Sequence, residues 1–116
     1  MPGDTTMRLA FLIYKPTGMK HQIHFAIQIV PISKTHHPYS IIDKAIEVIK
    51  ESGLRYEVCP METVIEGDYD TIMKVVKKAQ AVCLTEGADE IVVTMKVHAR
   101  KNGDVTWEEK NTGIRN

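Results

Sequence analysis

The residues with the widest chemical reach in this sequence are five histidines and two cysteines. His36 and His37 adjoin each other in a polar stretch, while His21, His24 and His98 are scattered. Neighbouring imidazoles rarely close on one ion, and no carboxylate or thiol stands at ligand spacing, so the pattern predicts no metal centre. Cys59 and Cys83 form no Cys-x-x-Cys pair. They read as small core residues in a reducing compartment, with a single disulfide between them as the alternative. Ser33-Lys34-Thr35-His36-His37-Pro38 holds neither an arginine nor a glycine-rich cradle, which argues against acyl-phosphate chemistry. No Ser-His-Asp or Cys-His arrangement stands at a readable spacing. From these residue types no chemistry announces itself, and no cofactor is expected.

The elements that must position these groups are those of one domain. The chain has 116 residues, 43% hydrophobic and 26% charged, with Lys+Arg and Asp+Glu both 15. That length suits a single domain with a real core. Zero net charge argues against nucleic acid as the main partner, since phosphate binding needs a basic excess. No apolar run reaches the roughly 18–20 residues of a membrane span, and Leu9–Tyr14 makes a poor signal peptide. The expected location is cytoplasmic. Residues 1–22 read as an N-terminal extension and 23–116 as the domain, with Met19 a possible alternative start.

From Ile23 the chain alternates. Ile23, Phe25, Ile27 and Ile29 predict a half-buried strand closed by Pro31. Ser40 is placed as the cap of a helix running through Ser52, with Gly53 as its left-handed stop. Leu54–Val58 and Met61–Glu66 read as a strand hairpin. Asp68 caps a second helix whose apolar stripe is Tyr69, Ile72, Met73, Val76, Ala79 and Cys83, ended by Gly87. Ile91–Ala99 is a final strand, followed by an Asn102-Gly103 turn and a short tail holding Trp107. The order β-α-β-β-α-β predicts an α+β, ferredoxin-like fold: a four-stranded antiparallel sheet with both helices on one face. RNA binding on the open face would require stacking aromatics, but Phe25 shares parity with the core, and the stripe Lys96, His98, Arg100 reads as solvated.

The segment from Ser52 to Gly67, Ser-Gly-Leu-Arg-Tyr-Glu-Val-Cys-Pro-Met-Glu-Thr-Val-Ile-Glu-Gly, resembles the thiamine-binding protein family of small ferredoxin-like proteins. The family pattern runs S-G-L-x-Y-E-x-x-P-M-G-T-x-I-E-G. Ile29-Val30-Pro31-Ile32, Gly87-Ala88 and Glu108-Glu109-Lys110 also fit, so the resemblance covers about residues 24–112. It implies a non-catalytic, homo-oligomeric protein that binds thiamine or its hydroxymethylpyrimidine-like half. Two positions depart from the pattern. Glu62 replaces a glycine, adding bulk where close backbone approach is possible, and Ser33-Lys34 replace a smaller Gly-Thr type of pair.

Thiamine joins a permanently cationic thiazolium to a flat aminopyrimidine, so a binder wants a carboxylate, a hydroxyl or carbonyl acceptor and apolar walls. Glu66, Thr63, Ser40 and Tyr39 have the right types, and Glu62 is a further ligand-contacting charge. Each also has a plain structural reading. Glu66 suits the positive start of the second helix, Thr63 shares the core-facing parity of Met61 and Ile65, and Tyr56 is expected to pack. Without a phosphate cradle, the diphosphate is expected to bind less well than thiamine. The face opposite the helices, with Ala26, Gln28, Val30, Val64, Val92 and Thr94, predicts a dimer or tetramer in which Glu62 pairs with Lys96 across the contact. Leu9–Tyr14 covering that face within one chain is the competing expectation. Two other functions stay open: an interaction module responding to a different small molecule, and a small hydrolase whose site is completed across subunits.

Overall fold

Alternation from Ile23 puts every second side chain on one side of the first strand, and two amphipathic helices cover that side. The computed structural model describes residues 19–111. Its elements are β1 (Ile23–Ile32), α1 (Pro38–Glu51), β2 (Arg55–Val58), β3 (Thr63–Gly67), α2 (Tyr69–Thr85), β4 (Glu90–His98) and a short α3 (Trp107–Lys110). The strands pair antiparallel in the order β2-β3-β1-β4, which is the ferredoxin-like βαββαβ arrangement. Ile23, Phe25, Ile27 and Ile65 from the sheet meet Ile41, Ala45 and Ile49 of α1 and Ile72, Val76, Ala79 and Cys83 of α2. Tyr56 packs against this core. Asp68 caps α2 by accepting the Thr71 N–H at 3.0 Å, and Gly53 follows α1 at φ +76°.

Several local expectations are corrected. β1 does not stop at Pro31 but continues to Ile32. Only Ile23–Ile27 pair with β3, so beyond that point one flank of β1 is open and a residue lacking an N–H is tolerated. The cap of α1 is His37, not Ser40. The His37 imidazole accepts the Tyr39 N–H at 3.1 Å, and Pro38 takes the first turn, where its missing N–H costs nothing. Ser40 lies inside that turn, its hydroxyl donating to the His37 carbonyl. Met61 is 74% exposed and belongs to the β2–β3 connection, which the Cys59 N–H closes by donating to the Glu62 carbonyl at 2.9 Å. Both cysteines are free thiols; Cys83 is in the core, but Cys59 is only half-buried.

The tail is more than a loop. Thr106 and Glu109 form a reciprocal capping box that starts α3. Gln22, just before β1, exchanges hydrogen bonds with Asp104 and Val105, which directs Trp107 onto the sheet face that α1 and α2 leave open. Leu9–Tyr14 lies outside the described residues. No helix among the described residues is long and apolar enough to cross a membrane.

Candidate ligand-binding cleft

Strand register brings together residues that are distant in sequence. On the outer face, Arg55, Glu66, His24 and His98 stand side by side across β2, β3, β1 and β4. The next row along the strands is Glu57, Val64, Ala26 and Lys96. In the first row Arg55, Glu66 and His24 are partnered, with His98 beside them, and the second is a small apolar floor with a carboxylate at one end and an ammonium at the other. Trp107 and Lys110 of α3 wall the resulting cleft of about 550 Å³, whose rim includes Cys59, Glu62 and Asn111.

Glu66 is the hub of the first row. Only 8% exposed, it accepts the Trp107 backbone N–H at 2.8 Å, bonds His24 Nε2 at 2.9 Å, and lies 3.5 Å from Arg55 Nη1. A buried carboxylate without such partners would carry a heavy desolvation cost. Trp107 is held at both ends, because its indole N–H also donates to Glu57 at 3.0 Å. Its ring lies 5.1 Å from the His24 ring, and the Arg55 guanidinium sits 5.0 Å over it. Arg55 also binds Glu108 at 2.7 Å, which raises the guanidinium pKa and lowers that of the carboxyl. Arg100 clamps Glu109, and together with the Thr106 N–H it holds that carboxyl down to about 2. His98 is held below the usual imidazole range by desolvation, with Lys110 and Arg100 adding to the effect.

The sequence-derived candidates divide. Glu66 and Glu62 both reach the cleft region, Glu66 beneath it and Glu62 on its rim. Glu62 binds Lys96 at 2.9 Å within the one chain, correcting the expected pairing across two copies. Thr63 is buried on the helix side, opposite Ile27. Tyr39, 72% exposed, and Ser40 lie beyond the other end of β1. At about 3.3 Å per residue, the strand alone runs roughly 26 Å from His24 to that end. Glu66 does not serve the start of α2; its oxygens turn toward Trp107 instead. His24, Arg55, Glu57 and Trp107 were not among the candidates. The parity of His24, opposite to Ile23 and Phe25, is the one signal that could have found it. Lys96 and Arg100, expected as a solvated stripe, are both ion-paired.

The sequence model of the thiamine-binding protein family matches residues 25–115. A UPF0045 protein of Clostridium perfringens is 40% identical over 73% of this chain and 88% of its own length. A UPF0045 protein of Methanocaldococcus jannaschii is 37% identical over 76% and 87%. Among solved structures, a domain of unknown function from Bacillus cereus superposes with TM-score 0.76 at 45% identity, covering 80% of this chain and 89% of that one. A Thermotoga maritima protein assigned provisionally to thiamine biosynthesis or salvage gives TM-score 0.69 at 31% identity, over 77% and 94%.

Proposed function

Because this chain belongs to the thiamine-binding protein family, we propose that its outer-face cleft binds thiamine, or the aminopyrimidine half of it, without catalysing a reaction on it. The observation that carries this reading is the second row with its wall. Ala26 and Val64 offer a flat floor of small side chains, Trp107 an aromatic edge, and Glu57 a carboxylate for a cationic ring, while Glu62 stands on the rim paired to Lys96. Carboxylates beside an aromatic wall favour a cationic heteroaromatic ligand. Glu66 acts from beneath, fixing His24 and Trp107 in place. Thr63, Ser40 and Tyr39 have no part in this arrangement.

The working form in this reading is a homo-oligomer in the cytoplasm. Val30 and Val92, paired in register, are 46% and 57% exposed on the same outer face, beyond the cleft. β-Branched residues there suit packing against a second copy.

The test is a melting curve. Thiamine at 100 times its Kd stabilises by about 2.7 kcal/mol, which in a domain of this size raises Tm by about 10 °C or more. If neither thiamine nor its pyrimidine half moves the curve at millimolar concentration, the reading fails.

A further inference from the structure

We infer that the cleft takes its ligand as a phosphate monoester, the ring system lying over Ala26 and Val64 and the phosphate meeting Lys96, His98 and Lys110. This rests on the reading above and names the form of the ligand. The cleft is bipolar. Its second row begins at Glu57 on β2 and ends at Lys96 on β4. Three inter-strand spacings separate them, about 14 Å between backbones. A cationic heteroaromatic extended by a phosphate ester has its two opposite charges arranged in that sense.

The β4–α3 end gathers basic groups from two elements. Lys96 and His98 share the outer face of β4, and Lys110 reaches the same cleft from α3. Arg100 is already taken by Glu109. Lys96 is neutralised by Glu62, but Lys110 makes no ion pair among the described residues. Free thiamine would end here in a neutral hydroxyl and give the Lys110 ammonium no direct ion pair, only the longer-range attraction of Glu109 and Glu66. Both Lys110 and His98 are held below their ordinary pKa, chiefly by desolvation. An anion at this end relieves that cost for both groups and shares Lys96 with Glu62. Among the described residues the cleft offers no cation at this end beyond Lys96, His98 and Lys110, so the monoester is favoured over the diphosphate as well.

Glu62, the residue that stands where the family pattern has glycine, acts here as an internal competitor for Lys96. The phosphate must displace it or share its partner, so the Glu62 carboxylate sets how strongly the phosphorylated ligand is preferred.

The experiment is calorimetric titration of the full chain with thiamine, its monophosphate, its diphosphate and inorganic phosphate at low salt. The monophosphate is expected to bind about tenfold tighter than thiamine or the diphosphate, as charge-assisted hydrogen bonds allow. Lys110→Met brings the monophosphate-to-thiamine affinity ratio toward one, and Glu62→Gln widens it. Raised salt narrows it. Thiamine binding with no preference for the monophosphate overturns this inference and leaves the thiamine reading standing. A preference that survives in Lys110→Met also overturns it, because the phosphate then lies elsewhere. If inorganic phosphate alone binds, or no probe binds, both readings fall.

Discussion

The two faces of the sheet are buried by different means. Under the helices, Ile23, Phe25, Ile27 and Ile65 are at most 3% exposed through apolar packing. On the other face, His24 and Glu66 reach 5% and 8% exposure as polar residues. Burial of apolar area is non-directional and roughly proportional to the area removed from water. Burial of charge is tolerable only when specific partners arrive, and here they come from the neighbouring strands and from a four-residue helix after β4. One face therefore provides stability, and the other provides a defined arrangement of groups.

The comparison can be broken most easily on the helix face. Ile65, fully buried between β1, β2 and the helices, should lose about 2–5 kcal/mol as Ile65→Ala through lost packing and the cavity left behind. Urea denaturation reads this, and a loss under about 1 kcal/mol would mean that the helix face is not the main source of stability. Glu66→Gln is next. It retains the shape but replaces charged acceptors for His24 and the Trp107 N–H, so about 1.5–3 kcal/mol should go. Tryptophan fluorescence gives the discriminating readout, since Trp107 is the only tryptophan. Its emission should shift to the red in the folded variant as α3 loosens, and an unchanged spectrum would show that Glu66 does not hold it.

A pH titration sharpens the contrast further. Glu109 and Glu108 have folded-state pKa values below their unfolded ones, Glu109 at about 2. Their contribution is therefore complete above the ordinary carboxyl range near 4.5 and is lost as pH falls toward 2. The Trp107 signal should begin to change in that window, before the helix-face core unfolds, and Arg100→Gln should move the change to higher pH. Coincident loss of both signals at every pH would deny that the two faces differ. The smallest effect on the single chain is expected for Val92→Asp. An exposed position should change folding stability by no more than about 0.5 kcal/mol. The same substitution should reduce the particle seen in light scattering to one chain, and a wild type that already scatters as one chain would remove the proposed assembly.

Element types and most boundaries were legible because they follow from local pattern. The alternation of β1, the stripe of α2, the Asp68 cap and the Gly53 stop each involve residues within a few positions of one another. The misreadings were local competitions that spacing does not resolve. His37 and Ser40 could both cap α1, and Pro38 at the first turn decided for His37. Met61 kept the parity of a strand residue while the hairpin connection claimed it. Of the candidate ligand contacts, Glu66 and Glu62 came within reach of the cleft, since their motif runs through β3 and its entry.

Sequence by itself determined which side chains of the main elements are apolar, roughly where those elements lie, the order β-α-β-β-α-β, and the family motif from Ser52 to Gly67. These depend on periods of two and 3.6 and on turn chemistry, all short-range. Only tertiary structure decided that His24 would lie between Glu66 and His98, and that Glu57 and Lys96 would close opposite ends of one floor. It also decided that Trp107 would settle on Glu66, 41 positions earlier in the chain. The register of distant strands follows from where whole hydrophobic faces match, and the docking of α3 from buried charges that must find partners. Neither is written in any single stretch of residues.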